Sequence, residues 1–379
     1  MSLGVHRLAS ITWFLTAAAV SEVAAYSERI KIGEIEPLTG KEAAFGQSSH
    51  RGIVLAIEEI NARGGVLGRP LVLVTEDNQS KPGDSATIAK KLTGRDRVVT
   101  ILHGGTSSQC LEAAPIAQNA RVPLIATTAT APEVTEKRSY VFRTCFIDPF
   151  QGSVLAKFAH TSLKAERAVL LTSASSAFSV GLGRVFRESF EKSGGKVVGE
   201  QKYAEGDKDF RAQLTAIRAL APDIVVAMGY YTEGGLICRQ ARDLGLTIPI
   251  ISADGWEAPE LIEIGGAAVN GAYYSAHYSS NSTAPEVQAF LQKYRARYGG
   301  VTPDSLAPLA YDATFVLADA MNRAGTTEGA KLRDALAATK DFPGVTGRTT
   351  IDANRNASKP AVILTVQDGK SKYVETIAP

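Results

Sequence analysis

The stretch from Leu102 to Pro132 opens Leu-His-Gly-Gly-Thr-Ser-Ser-Gln and closes Pro-Leu-Ile-Ala-Thr-Thr-Ala-Thr-Ala-Pro, and its reading decides the fold. Val98 to Leu102 is a short β-branched and apolar run, the pattern of a buried strand, and it breaks at Gly104 and Gly105 into hydroxyl residues that open an apolar helix. A strand, a tight turn and a helix N-terminus therefore follow one another. The helix end leaves backbone N–H groups outside the helical ladder, and with the positive end of the dipole they favour an anion at Thr106, Ser107 and Ser108. The helix is predicted to run to about Ala120. A second strand, Pro123 to Thr127, then delivers Thr127, Thr128 and Thr130. Successive strands of a parallel sheet end on the same edge, so both hydroxyl clusters are expected at one crevice. Either cluster alone is also what an ordinary strand–turn–helix corner with capping residues looks like.

Working outward, the chain has 379 residues, enough for two domains. Its net charge is only +2, with both signs mixed along its length, which argues against a nucleic-acid partner or an anionic membrane surface. Cys110, Cys145 and Cys238 are too few and too scattered for a disulfide framework or a zinc site, and read as buried small residues, with a single bridge left open. Residues 1–25 differ from the rest: His6 and Arg7 precede an apolar run from Leu8 to Val20 that ends in Val23-Ala24-Ala25, the pattern of a cleaved secretory signal peptide. No cysteine lies near the expected cut at Tyr26, and no later segment reaches the length of a membrane span. A soluble, monomeric protein exported to a bacterial periplasm is the expectation.

From Ile30 onward strands and helices alternate. Strands are predicted at Ile30 to Ile35, Leu71 to Val74 and Tyr140 to Arg143 beside the two above, with helices carrying Ile53, Ile57 and Ile60 on one face and spanning Asp84 to Leu92. A second series follows: helix Phe150 to Ser162, strand Ala168 to Thr172, helix Gly181 to Lys192, strand Val197 to Tyr203, helix Phe210 to Leu220, strand Ile224 to Met228, helix Glu233 to Leu244 and strand Pro249 to Ser252. Two helices, 287–298 and 304–323, precede short C-terminal strands. The expected fold class is α/β, two doubly wound parallel-sheet lobes. With no Pro- or Ser-rich linker between them, the chain is expected to cross through short strands that form a hinge. The lobes are assigned to 26–148 with 276–351, and to 149–275 with 352–379.

Enzyme signatures are missing: no HExxH, CxxC, GxSxG or GxxxxGK[ST], and Gly181-Leu182-Gly183 fails the dinucleotide fingerprint at its third glycine. No cofactor, metal or catalytic residue is expected. A hydrolase reading with Ser107 or Ser108 and His103 lacks an orienting acid, and His103 reads as structural. The second-lobe strand ends carry more. Ile224 to Met228 leads into Tyr230 and Tyr231, and Pro249 to Ser252 into Asp254-Gly255-Trp256. Beside a glycine, Asp254 alone suggests an Asx turn. Opposite a hydroxyl-rich helix end it becomes a partner for a cation. An anion site on one lobe and a carboxylate on the other describe a zwitterion, with aromatics for its apolar side chain.

The chain resembles the leucine/isoleucine/valine-binding proteins, the periplasmic substrate-binding proteins of branched-chain amino acid ABC transporters, which have the type I periplasmic-binding fold. The resemblance rests on Ile-Lys-Ile-Gly at 30–33 with Pro37-Leu38-Thr39-Gly40, Asn61-Ala62-Arg63-Gly64-Gly65-Val66-Leu67-Gly68-Arg69, Thr130-Ala131-Pro132-Glu133, Phe142-Arg143-Thr144, Arg239-Gln240-Ala241-Arg242 and Asp254-Gly255-Trp256. It implies that Ser107, Thr130 and the backbone of Thr128 hold a ligand carboxylate, that Asp254 and Tyr230 meet its ammonium, and that Phe45 and Phe178 line the side-chain pocket, with Trp256 added from the aromatic strand end. It also implies a membrane permease as partner. Ser80 and Thr106 stand where some members carry a disulfide, and Phe45 and Phe178 where tyrosines are common, which makes the pocket more apolar. The alternative is the same fold binding a carboxylate without an ammonium, such as an aromatic or keto acid, which would need Ser107 and Thr130 but have no use for Asp254.

Overall fold

The computed structural model describes residues 29–378, so the signal-peptide assignment lies outside the described residues. The first sheet is built from β1 (Ile30–Glu36), β2 (Leu71–Asp77), β3 (Thr100–His103), β4 (Leu124–Ala126) and β5 (Val141–Arg143), all parallel, in the order β2-β1-β3-β4-β5. Ile32 and Leu102 bury one face under Ile53, Ile57, Val316 and Leu317, while Ile35 and Ile101 bury the other under Ala89, Ala113 and Ala117. Coverage on both faces is why the central strands β3 and β4 read as short runs buried throughout, whereas the edge strand β2 is buried only at Leu71.

The second sheet holds β6 (Arg167–Ser173), β7 (Lys196–Tyr203), β8 (Ile224–Met228), β9 (Ile250–Ser252) and β10 (Tyr273–Ala276); β11 (Thr350–Ile351) and β12 (Ala357–Ser358) form a separate two-stranded ladder. A final hairpin, β13 (Ala361–Gln367) and β14 (Lys370–Ile377), completes the sheet in the order β14-β13-β10-β9-β8-β6-β7. It departs from a purely parallel sheet there: β13 runs antiparallel to both β10 and β14. The turn is Asp368-Gly369 with φ of 53° and 68°, the two positive values that a two-residue hairpin matching the strand twist requires.

Sequence periodicity located most elements and missed some. β10 and the helices Pro259–Gly265 and Gly329–Ala337 were not read. The helix expected to start at Gly181 begins at Ala177, where the Ser176 side chain accepts from the Ser179 N–H, and the helix from Asp84 gives way at Lys90 to a wider-wound turn over Lys91–Asp96. Helices Pro285–Arg297 and Leu306–Ala324 pack with Leu55 and Ala56 of the helix Ala43–Ala62, on the first sheet's side. The chain thus passes between the two sheets after β5, after β10 and before β13. Among the described residues no helix is long and apolar enough to cross a membrane.

Candidate functional site

The carboxyl ends of β3 and β4 in the first sheet and of β8, β9 and β10 in the second lead to residues lining one cleft. From the first sheet, β3 ends at His103 and turns through Gly104 and Gly105 into the helix Ser107–Ala120. Gly105 has φ 81°, and a Cβ there would lie 2.4 Å from Gln109 Oε1, so the turn needs glycine on both counts. The helix end is a capping box: Thr106 Oγ1 accepts from the Gln109 N–H, and Gln109 Oε1 accepts from the Thr106 N–H at 3.1 Å. Ser107 Oγ accepts from the Ala131 N–H at 3.2 Å, which aims its own proton elsewhere. Thr128 Oγ1 donates to the Gly105 carbonyl at 2.7 Å, tying the two loops together. The Thr128 hydroxyl proton is therefore engaged, and what this residue can offer a ligand is its backbone.

From the second sheet come Phe178 on the helix Ala177–Lys192, Tyr230 after β8 and Asp254 after β9. These three, with Phe45, Ser107, Thr128 and Thr130, line a single cavity together with His277, Leu306 and Leu309. Phe178 and Tyr230 stack at 5.5 Å with 15° between their planes, and Phe45 from the opposite lobe meets Tyr230 edge-on at 5.9 Å. The lobes touch. Tyr231 Oη donates to the Lys41 carbonyl at 2.8 Å, and Lys41 Nζ pairs with Glu205 at 2.7 Å. Trp256 is the correction: it is not among the lining residues but lies 1% exposed beneath them, against Gly234, where a Cβ would come within 2.6 Å of the indole. The 3-10 turn over Asp254–Trp256 sends the acid into the cleft and the indole into the core.

The electrostatics divide the cavity. Asp254 Oδ2 is 3.0 Å from His277 Nε2, its backbone N–H donates to Gln151 Oε1 at 3.1 Å, and its Oδ1 has no hydrogen-bond partner among the described residues. A buried carboxylate oxygen in that condition calls for a donor. Asp148, at the start of the helix after β5, is buried, and burial, reinforced by the charge of Asp254, pushes its carboxyl up to about 8. Its backbone N–H donates to the Thr130 carbonyl at 3.1 Å and its Oδ1 accepts from Gln151 Nε2 at 3.4 Å, so Asp148 ties the Thr130 loop to the helix after β5. Asp148, His277, Leu306 and Leu309 escaped the sequence reading. The signal for His277 was the apolar run before it: once Tyr273–Ala276 is a strand, the next residue stands at the same sheet edge as Asp254.

His103 lies beneath the turn, outside the cavity lining, and burial lowers it to about 4. An unfolded chain takes up that proton near pH 6.5. The contribution of His103 to stability is therefore complete above about pH 6.5 and is lost as the pH falls toward 4, by about 3 kcal/mol. Urea unfolding at pH 7.5 and 4.5 checks this: His103→Leu should lose that much less than the wild type on acidification, and equal losses would remove His103 as the cause.

Comparison with known proteins places the fold in a family. The family model described as periplasmic binding protein matches residues 29–371. The Leu/Ile/Val-binding protein BraC3 of Rhizobium johnstonii is 32% identical over 342 residues, 89% of this chain and 92% of that protein. The crystal structure of the leucine-binding protein LivK of Thermotoga maritima superposes with a TM-score of 0.89 at 39% identity, covering 92% of this chain and 99% of that one. LivJ of Streptococcus pneumoniae, a branched-chain amino acid transporter substrate-binding protein solved with isoleucine, gives 0.88 at 34% identity, covering 93% and 100%. The fold is the type I periplasmic-binding fold, and it defines a binding protein of ABC transporters, not an enzyme. The chain belongs to the periplasmic binding protein family, in its Leu/Ile/Val-binding branch.

Proposed function

We propose that the chain, exported to the periplasm, captures an amino acid with an aliphatic, branched-chain type side chain and presents the closed form to an ABC permease. One observation carries this reading: a hydroxyl-rich helix end on one lobe and, on the other, a carboxylate oxygen without a partner among the described residues line the same cavity, with Phe45, Phe178 and Tyr230 between them. Ser107, Thr130 and the Thr128 backbone are assigned to the ligand carboxylate, and Asp254 to its ammonium. The jaws are taken as 26–148 with 276–351 and 149–275 with 352–379, with a correction at the last boundary: Ala357 of β12 packs with Ile351 in the first lobe's core and Asn356 is bonded to Thr135, so the final crossing falls after β12 and just before β13.

Charge-assisted hydrogen bonds contribute roughly 1.5–3 kcal/mol each, and burial of an aliphatic side chain about as much. Three or four such contributions, less the cost of association, are compatible with an affinity of about micromolar, near −8 kcal/mol. Contacts from both lobes exist only when the cleft is shut, so the ligand drives closure by that difference. In a melting experiment with ligand at about 1,000 times its dissociation constant, leucine should stabilise the fold by about 4 kcal/mol, whereas its keto acid, 4-methyl-2-oxopentanoate, should shift the melting point far less. Equal shifts would favour a carboxylate receptor with no ammonium site, and no shift with any aliphatic amino acid would overturn the reading.

A further inference from the structure

We propose that His277 is a positioning residue of the cleft, donating its Nε2–H to Asp254 so that Oδ1 faces the ligand ammonium, and that this makes amino acid binding sensitive to pH. The inference rests on the transport reading for the identity of the ligand. Its own basis is geometric. Nε2 and Asp254 Oδ2 are 3.0 Å apart, and the two side chains are 2% and 12% exposed. Phe146 stacks on the imidazole at 3.7 Å with 21° between the planes, which fixes the ring's tilt. The backbone on either side is held too: the Asp254 N–H donates to Gln151 Oε1, which also accepts from Ser275 Oγ at 2.7 Å, and the His277 N–H donates to Ser305 Oγ at 3.2 Å.

A neutral imidazole has a single N–H, and an ionised acid at Nε2 places it there. His277 Nδ1 and Asp254 Oδ1 are then the two buried polar atoms of the pair without a partner among the described residues. The first is an acceptor and the second faces the cavity charge. Burial lowers the imidazole below 6.5, Asp254 opposes that, and Lys359 adds to it; the other acids near the pair, Asp148 and Glu257, are raised chiefly by burial, with the charge of Asp254 adding to each. A second proton on His277 would put a cation beside Asp254 in competition with the ligand's. Protonation and binding oppose one another, so affinity is full above about pH 6.5 and falls as the pH drops below it. The ring also lines a groove of about 600 Å³ on the hinge side, between Val287 and Val345 of one lobe and Val362 and Tyr373 of the other, which gives the proton a route to solvent.

The test is calorimetry of leucine binding to the full chain from pH 5 to 8 in buffers of different ionisation enthalpy, together with imidazole ¹⁵N shifts of the ligand-free protein. The wild type should lose affinity, by severalfold, as the pH falls from 7.5 to 5, with proton release on binding at the acid end of the range. His277→Gln, which keeps an N–H donor at the Nε2 position and cannot titrate, should lose about threefold at pH 7.5 and stay flat across the range. His277→Phe should lose tenfold or more throughout. A pH profile shared by the wild type and His277→Gln, wild-type affinity in His277→Phe, or an Nδ1–H tautomer that ignores Asp254→Asn would each overturn the inference. Failure of the transport reading looks different: no amino acid binds the wild type at any pH, while the ¹⁵N shifts still report an Nε2–H imidazole coupled to Asp254.

Discussion

Asp254→Asn is expected to weaken leucine binding about a hundredfold at pH 7.5 and to leave binding of 4-methyl-2-oxopentanoate within a few-fold of its wild-type value. The substitution preserves shape and removes the charge. What is lost is the attraction between a carboxylate and an ammonium inside a cavity walled by three aromatic rings, where water screens little. Truncating one member of a desolvated, hydrogen-bonded charge pair typically costs 2–5 kcal/mol, and about 3 kcal/mol is a hundredfold. The asparagine amide must also choose between His277 and the ligand, since only one of its two ends accepts. Calorimetry with both ligands, beside a thermal melt showing that the variant folds, decides the matter. Leucine affinity within threefold of wild type would end the pairing of Asp254 with the ammonium. Equal losses for both ligands would point to a misshapen cleft.

Gly52→Ala carries the second large effect, on stability. Gly52 lies in the helix Ala43–Ala62 where it crosses the helix Leu306–Ala324, and a Cβ there would lie 2.0 Å from the Ala307 carbonyl oxygen. A backbone atom cannot swing aside as a flexible side chain can. The two helices must separate by more than an ångström, which opens the packing of Leu55 and Ala56 against Ala307 and Tyr311. Overpacking of this kind costs about 3 kcal/mol, against a helix-propensity gain of about 1 kcal/mol for alanine over glycine. The net loss of about 2 kcal/mol should lower the melting point by roughly 3 °C. Gly181→Ala is the control: it sits in the helix Ala177–Lys192 with nothing within 4 Å of the added methyl, and should be neutral or slightly stabilising. Leucine affinity should fall in Gly52→Ala as well, because the same two helices bring Phe45, Leu306 and Leu309 to the cavity. A Gly52→Ala protein that melts with the wild type would show that the helices do not approach this closely.

Much of this was legible before any coordinates, for identifiable reasons. The β3 turn announces itself because its positive-φ backbone calls for glycine and the helix start for hydroxyl caps, and the first-sheet strands because each carries Ile, Leu or Val in a short segment bounded by turn residues. Ser107, Thr128, Thr130, Tyr230 and Asp254 follow strand ends, so placing the strands placed the site. The misses have reasons too. The strand Tyr273–Ala276 carries two strand-favouring tyrosines, but at four residues it is too short to show a period; with it went His277. Trp256 was assigned by proximity to Asp254, but in a 3-10 turn residues two apart point in different directions.

Local sequence by itself determined the alternation of strands and helices, the helix end that favours an anion, and the presence of an acid after β9. These depend on backbone geometry within a few residues. Tertiary structure alone decided that the acid meets the hydroxyls across a cleft, that a histidine from a crossover strand supports it, and that the C-terminal hairpin closes the second sheet antiparallel. Residues 107, 254 and 277 share a cavity only because the chain passes three times between two lobes, and contacts at such separations depend on how whole sheets pack, which no short window of sequence encodes.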